Sequence, residues 1–352
     1  MSAPITGPDS PTTPEMVRWA FLTILGHYTV SDDVVLRHQQ VFPHFHELCE
    51  GLKNSTEFAE TYGPRSGQVL LGTAELALLA ELAIPPLAAG PGWYTDFLGV
   101  RTRLGFQPAG HGWLDGRFLP VPASGRVQFH DAQEWGGTLR AAIEARPTGR
   151  FVAFELGAGW GPWVATVARL AQCLGLSPSL VAVEADLGHL DFIRTHFRDN
   201  DLPLESCRLI HAVAGASDGT AWFPAIANPA SDYGSAAAFA TPDAPAGMVP
   251  VPCVSLTSLL RDELRVDLVH CDIQGAEADT MEAAMDALSA RVVRVVIGTH
   301  GRGIEERLFH LFTGADWRLE DDKACLLQPD YRRGDPYILR ADGVQVWRNR
   351  RL

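Results

Sequence analysis

The sequence predicts an α/β protein, a doubly wound and mostly parallel sheet preceded by a mixed, partly helical accessory region. Three observations point there. From about residue 150, apolar runs (FVAFEL, SLVAVEAD, RLIHAVAG, VDLVHCDI, VVRVVIGTH) recur with helix-patterned segments between several of them, and such continuous runs mark strands buried on both faces of a parallel sheet. The first run enters a glycine turn, ELGAGWG, and leaves it in the amphipathic stretch VATVARLAQCL, the strand-turn-helix order of a ligand-binding crossover. At the far end, YILRADGVQVW sets Asp342-Gly343 between two strand-like runs, which predicts a hairpin whose antiparallel pair closes the sheet.

Composition bounds the rest. A chain of 352 residues suits about two domains of ordinary size or one large domain with an elaborated end, and 46% hydrophobic with 20% charged residues excludes disordered, collagen-like and coiled-coil classes. Lys plus Arg total 29 against 42 acidic residues, a formal charge of -13, with no basic block before the terminal RNRR. That balance argues against nucleic acid as a general partner and favours a neutral or cationic ligand. The six cysteines are scattered without a CxxC pair, as expected of packing residues in a reducing compartment. The leading MSAPITGPDSPTTPEM lacks basic and apolar signal regions, so residues 1–13 read as a flexible tail of a cytoplasmic protein. VLLGTAELALLAELAIPPLAAG contains Glu75 and Glu81 and stops at Pro85-Pro86, so no membrane span is expected.

Residues 14–130 read as the accessory region and 131–352 as the strand-helix domain. In PEMVRWAFLTILGHY, Val17, Ala20, Phe21 and Ile24 share one helical face, with Pro14 in the first turn and Gly26 at the end. A second helix is expected over 73–84 with Thr73 as N-cap. Gly, Pro and aromatic residues dominate from 87 to 150 and predict short irregular or extended pieces. Further helices are expected at 162–174, 187–198 and 276–289. The Ala-, Pro-, Ser- and Gly-rich segment 223–250 reads equally as a lid or binding loop and as a variable surface loop.

The three glycines of ELGAGWG allow a sharp turn and close approach of a ligand to the backbone. Pro162 fits the first turn of the next helix, which Gly175 ends. Glycines alone fit an ordinary tight turn as well. Glu155 separates the possibilities. Beside a diphosphate seated on the helix N-terminus it would be repelled, and the spacing G-x-G-x-G is not the G-x-G-x-x-G of dinucleotide sites. For S-adenosyl-L-methionine, which carries an ammonium and a sulfonium, a carboxylate here is attractive. Glu184 ends the second strand where an acid accepts hydrogen bonds from ribose hydroxyls. NAD shares that feature, and a helix-start acid would look the same.

ELGAGWGPW, VAVEAD, AVAGASDG and the pairing of LVHCDIQGAE with VVIGTHG resemble the FkbM-type family of S-adenosylmethionine-dependent O-methyltransferases over about residues 150 to 320. The resemblance implies a seven-stranded class I methyltransferase (Rossmann-like) sheet and a cofactor bound by Glu155, Gly157, Ala158, Gly159, Trp160, Glu184 and Ala185. It sets Ala214 and Gly215 near the adenine. The family's fourth strand commonly reads K-x-D-x-E-G-x-E, where this chain has His270 and Gln274; an acid often precedes the histidine of the fifth strand, where this chain has Thr299.

Transfer of a methyl group to oxygen requires the acceptor to be held in line and its proton to be taken. Asp272 and Glu277 flank the turn DIQGAE and His300 ends the next strand, so all three should face one crevice. Asp272 is expected to position the acceptor and to contact the cofactor, and His300 to act as general base, although Glu277 fits a helix cap and His300 a structural histidine. Asp272 and His300 suit a divalent metal only weakly, and the pair His44 and His46 more weakly still. Trp160 and Trp163, with Trp93, Tyr94 and Trp113, offer stacking faces or packing between regions. The expected acceptor is a hydroxyl of a sugar-containing, glycan or polyketide-like small molecule. An NAD(P)-dependent oxidoreductase and a non-catalytic nucleoside-binding protein are the alternatives, and a homo-oligomer is left open.

Overall fold

The computed structural model describes residues 11–21, 30–53, 71–87, 89–121, 129–239, 244–329 and 337–352. The chain divides into two compact units, Met1–Gly67 and Gln68–Leu352.

In the first unit, helices α1 (Pro14–Ala20), α2 (Asp32–Val41) and α3 (Phe45–Lys53) enclose a small core that includes Val17, Phe21, Val35 and Leu48. Thr13 caps α1, its Oγ1 accepting from the Met16 amide at 3.3 Å, and Pro14 stands in the first turn where its missing N–H is harmless. Residues 11–13 are not a free tail. Pro11 bridges to His44 and the Thr12 amide donates to the Pro43 carbonyl at 2.9 Å. Residues 1–10, and Ile24 and Gly26 of the expected helix, lie outside the described residues.

The second unit opens with α4 (Thr73–Leu82), whose N-cap is Gly72 rather than Thr73. It stops two residues short of the expected end because Pro85 disfavours helical backbone at Ile84. Strands β1 (Trp93–Thr95) and β2 (Arg101–Arg103) pair antiparallel. Then α5 (Ala132–Ala145) begins on a capping box of Asp131 and Glu134, within the stretch expected to be irregular. Gly136-Gly137 weakens the local helix signal, and packing supplies the reason: a Cβ on Gly137 would stand 2.5 Å from Val296 Cγ2.

The alternating remainder comprises β3 (Arg150–Leu156), α6 (Pro162–Leu174), β4 (Ser177–Glu184), α7 (Leu187–Asp199), β5 (Cys207–His211), β6 (Val213–Gly215), β7 (Gly219–Pro224), β8 (Met248–Ser255), α8 (Leu256–Leu260), β9 (Val266–Cys271), α9 (Glu277–Arg291), β10 (Val292–Thr299), α10 (Arg302–Gly314), β11 (Trp317–Lys323), β12 (Leu326–Pro329), β13 (Tyr337–Ala341) and β14 (Gly343–Asn349). Seven strands form the main sheet in the order β11-β14-β10-β9-β3-β4-β5. β9, β3, β4 and β5 run parallel with β10, while β14 is antiparallel to both β10 and β11. This is the seven-stranded class I methyltransferase sheet that the resemblance implies. Side chains alternate along β3: Phe151 and Ala153 join the core under α5, α6 and α7, and Val152, Phe154 and Leu156 join the core under α8, α9 and α10.

Two expectations are corrected. RLIHAVAG is not one strand: it breaks at Ala212, whose amide donates to the Glu184 carbonyl at 3.1 Å, and its second half joins a separate sheet ordered β6-β8-β7. The runs around Asp342-Gly343 do not pair with each other. β13 pairs with β12, and β14 enters the main sheet because Val344, Val346 and Trp347 bury large apolar side chains on both faces. An antiparallel pair does close the sheet, but it is β14 with β11. Among the described residues no helix is long and apolar enough to cross a membrane.

Candidate active site

A cavity of about 260 Å³ opens beyond the carboxyl ends of β3, β4 and β9, where open parallel sheets bind ligands. Its floor is the glycine turn. Gly157, Gly159 and Gly161 have φ of 73°, 53° and 71°, a region that side chains disfavour. A Cβ on Gly157 would lie 1.9 Å from the Asp272 carbonyl oxygen, so the turn and the end of β9 approach as closely as a bare backbone allows.

Glu155 shares the face of β3 covered by α6 and uses both carboxyl oxygens there. They accept from the Trp163 and Val164 amides at 3.2 and 2.7 Å, filling the positive end of the helix. Burial pushes this carboxyl up to about 7, against the pull of His270 and the two amides. Glu184, at the end of β4, accepts from Gly159 and Asp186 amides, each at 2.8 Å, and faces His189 Nδ1 at 3.4 Å. The other nitrogen of His189 donates to the Pro229 carbonyl at 2.9 Å. Burial works against a charge on His189, but Glu184 outweighs it and raises the imidazole.

On the opposite wall, Asp272 follows β9. Burial pushes it up to about 6 against the pull of His300, and the Gln274 amide donates to its Oδ1 at 3.0 Å. His300 lies behind Asp272. Its Nδ1 donates to Glu277 at 2.8 Å, and its Nε2 stands 3.3 Å from Asp272 and 3.8 Å from Asp342. Burial pulls the imidazole down, yet Glu277 and Asp272 prevail and push it up to about 9. It therefore carries a proton at neutral pH, the reverse of what a general base needs. Glu277 is fully buried and also accepts from the Ile273 and Gly275 amides at 3.2 and 3.0 Å, which ties the DIQGAE turn together.

Of the residues singled out in the sequence, Glu155, Gly157, Ala158, Gly159, Trp160, Glu184, Ala185, Ala214 and Asp272 line the cavity. His300 and Gly215 do not. Gly215 packs beneath Cys253 and Phe239, where a Cβ would stand 2.8 and 2.9 Å from them. Periodicity did not find Tyr233, which comes from the Ala/Pro-rich segment and lies over the glycine turn. A Cβ on Gly159 would meet its ring at 3.3 Å, the ring stacks on His189 with centroids 4.6 Å apart, and its hydroxyl donates to the Phe106 carbonyl. The one tyrosine of a run made mostly of small residues was the available signal. The described part of that segment lines the cavity, contributing Ile226, Asp232, Ser235 and Ala237 to the wall as well.

Set against known proteins, residues 128–320 match the Methyltransferase FkbM domain. A protein of Jannaschia sp. (strain CCS1), provisionally named a methyltransferase, is 32% identical over 269 residues, covering 74% of this chain and 94% of that one. The chain belongs to the FkbM methyltransferase family. Among solved structures, methyltransferase FkbM from Methylobacillus flagellatus KT is 12% identical, covers 62% of this chain and 56% of its own, and gives a TM-score of 0.35. A precorrin-6Y C5,15-methyltransferase from Geobacter metallireducens GS-15 is 13% identical, with 58% and 87% covered and a TM-score of 0.32.

The departures from the FkbM pattern have local partners here. His270, in the place of the lysine, donates from Nε2 to Glu134 at 3.0 Å; burial opposes its charge, but Glu134 outweighs burial and raises the imidazole. Its ring stacks on Trp163, which is buried and packs against Trp135 as well. Thr299 donates from its hydroxyl to Glu305 at 3.0 Å, a buried bond that replaces the acid. Gln274 takes the left-handed conformation at φ 53° and turns toward Asp272. Trp93 lies away from the cavity between Arg101 and Arg103, 4.6 and 5.0 Å from its centroid.

Proposed function

We propose that this FkbM methyltransferase is S-adenosylmethionine-dependent and methylates a hydroxyl of a sugar-containing or polyketide-like small molecule. One observation carries the choice of cofactor. The cavity wall holds six carboxyl groups, Glu134, Glu155, Glu184, Asp232, Asp272 and Asp342, and no Lys or Arg among its described residues. The helix amides that a diphosphate would need are already taken by Glu155. Such a wall favours a ligand of net positive charge and works against NAD(P).

Bound there, S-adenosylmethionine would supply a methyl group on a positively charged sulfur. Glu184 would exchange its bond to the Gly159 amide for the ribose hydroxyls, and the released amide would meet the cofactor carboxylate. Ala185 and Ala214 offer an apolar wall to the adenine. His270, whose charged form Glu134 favours, stands on the same wall as a second partner for the carboxylate. Asp272 is the acid nearest the reacting end: its oxygen would receive the acceptor's hydroxyl proton as the new O–C bond forms and the C–S bond breaks toward sulfur. His300, held by Glu277, positions Asp272. The buried Cys207, Cys253, Cys271 and Cys325 form no disulfide, in keeping with a reducing, cytoplasmic setting.

Calorimetric titration with S-adenosylmethionine, S-adenosylhomocysteine and NAD tests the assignment. Micromolar binding of the first two and none of NAD is expected. Binding of NAD alone would reverse it.

A further inference from the structure

We propose that the end of β10 carries a divalent-cation site formed by His300 Nε2, Asp272 and Asp342, opening on the cofactor cavity. Three observations lead there. The His300 side chain is 7% exposed, yet its buried Nε2 has no hydrogen-bond partner. Nitrogens so enclosed almost always find a partner, and this one is aimed between two carboxylates, at 3.3 Å from Asp272 Oδ1 and 3.8 Å from Asp342 Oδ1; the proton that these acids hold on Nε2 would leave to solvent as the cation takes its place. Ligands about 2.1 Å from a cation and at right angles stand about 3 Å apart, so only a small inward movement of Asp342, whose side chain is 52% exposed, would complete one face of an octahedron.

The surroundings are built to match. Nδ1 of His300 is fixed by Glu277 at 2.8 Å, the carboxylate-histidine arrangement that orients a metal-binding imidazole. Glu277 itself is not a ligand, since the amides of Ile273 and Gly275 occupy its oxygens. Gly298 leaves the space that the Asp272 carboxylate fills, a Cβ there being 3.2 Å from Asp272 Cγ. Among the described residues His300 is the one basic group within 4 Å of Asp272 and Asp342, so two acids share one imidazole at contact distance. Two oxygens with one imidazole suit Mn²⁺ or Mg²⁺.

What such a cation would hold rests on the O-methyltransfer reading: its open positions would take acceptor oxygens, most readily two neighbouring hydroxyls, while a sulfonium would be repelled. The binding itself does not depend on that reading and is tested without nucleoside. Full-length protein stripped with chelator is titrated with MnCl2, followed by calorimetry and by the loss of the free Mn²⁺ resonance signal. One Mn²⁺ per chain is expected, weakened at least tenfold by Asp342→Asn and unchanged by Asp279→Asn, an exposed acid on α9. Absence of Mn²⁺ binding, or binding that both Asp342→Asn and His300→Asn leave intact, overturns the site. S-adenosylmethionine binding, measured on the same samples, separates the two readings: Mn²⁺ bound without it defeats the proposed function and leaves the site standing, and the converse defeats the site alone.

Discussion

Replacing Gly157 by alanine tests whether the glycine turn is shaped by backbone freedom alone or by its contact with β9. The new Cβ carries two costs. The first is conformational: at φ 73° an L residue is disfavoured by about 1–2 kcal/mol. The second is steric, because the Cβ would stand 1.9 Å from the Asp272 carbonyl oxygen and 2.9 Å from its carbon. That carbonyl cannot simply retreat, since the Asp272 amide is bonded to the Leu156 carbonyl at 2.9 Å, and overpacking of this kind costs about 1–3 kcal/mol. Gly149 supplies the control. Its φ is 70° and nothing lies within 4 Å of its Cβ position, so Gly149→Ala meets the first cost without the second. Differential scanning calorimetry should show Gly149→Ala lowering Tm by about 2–5 °C and Gly157→Ala by roughly twice that or more. Calorimetric titration should show S-adenosylmethionine binding kept in the first and weakened at least tenfold in the second. Equal Tm values and equal affinities for the two variants would mean that the turn does not depend on its contact with Asp272.

Glu184→Gln should weaken S-adenosylmethionine by about 10–100-fold through loss of a charged acceptor, read by titration, with Tm little changed; unaltered affinity would remove Glu184 from the ribose site. Asp272→Asn should lower kcat by about 10²–10⁴-fold with KM for the methyl donor within a few fold, measured by radiolabelled methyl transfer to the acceptor once it is known. Glu155→Gln should lower Tm by a few degrees, because one of its two bonds to the α6 amides is lost, a capping effect of about 1 kcal/mol. His196 predicts acid lability. Burial holds its imidazole down at about 4, with Nδ1 donating to the Trp160 carbonyl at 3.2 Å and Nε2 accepting from the Thr102 hydroxyl at 3.1 Å. The unfolded chain then binds more protons than the folded one below about pH 6.5, so this contribution is complete above that pH and fades as pH falls toward 4. The span is about 3 kcal/mol, and urea titrations at pH 5 and 7.5 should show His196→Gln losing less stability on acidification than the parent.

How much of this was legible depended on whether a feature is local. β3, β4, β9 and β10 each carry an unbroken apolar run, and burial on both faces leaves that mark whatever the partner strand. The residues at their carboxyl ends, Glu155, Glu184 and Asp272, could therefore be placed at one crevice before any coordinates. RLIHAVAG carries the same mark yet serves two sheets, because the break at Ala212 is made by a bond to Glu184 on another strand. Asp342-Gly343 carries a good turn signal yet joins two sheets, because Val344, Val346 and Trp347 gain more by burial between β10 and β11 than by pairing with β13. The site divides along the same line. Acids that end strands were readable, whereas Tyr233 and Asp342 reach the cavity from segments whose path is set by distant contacts, with Phe106 and with the main sheet respectively. Glu155 shows the limit most clearly: its position was readable, but its engagement with the α6 amides follows from which face of β3 it occupies, and that was fixed only once α6 was seen to cover that face.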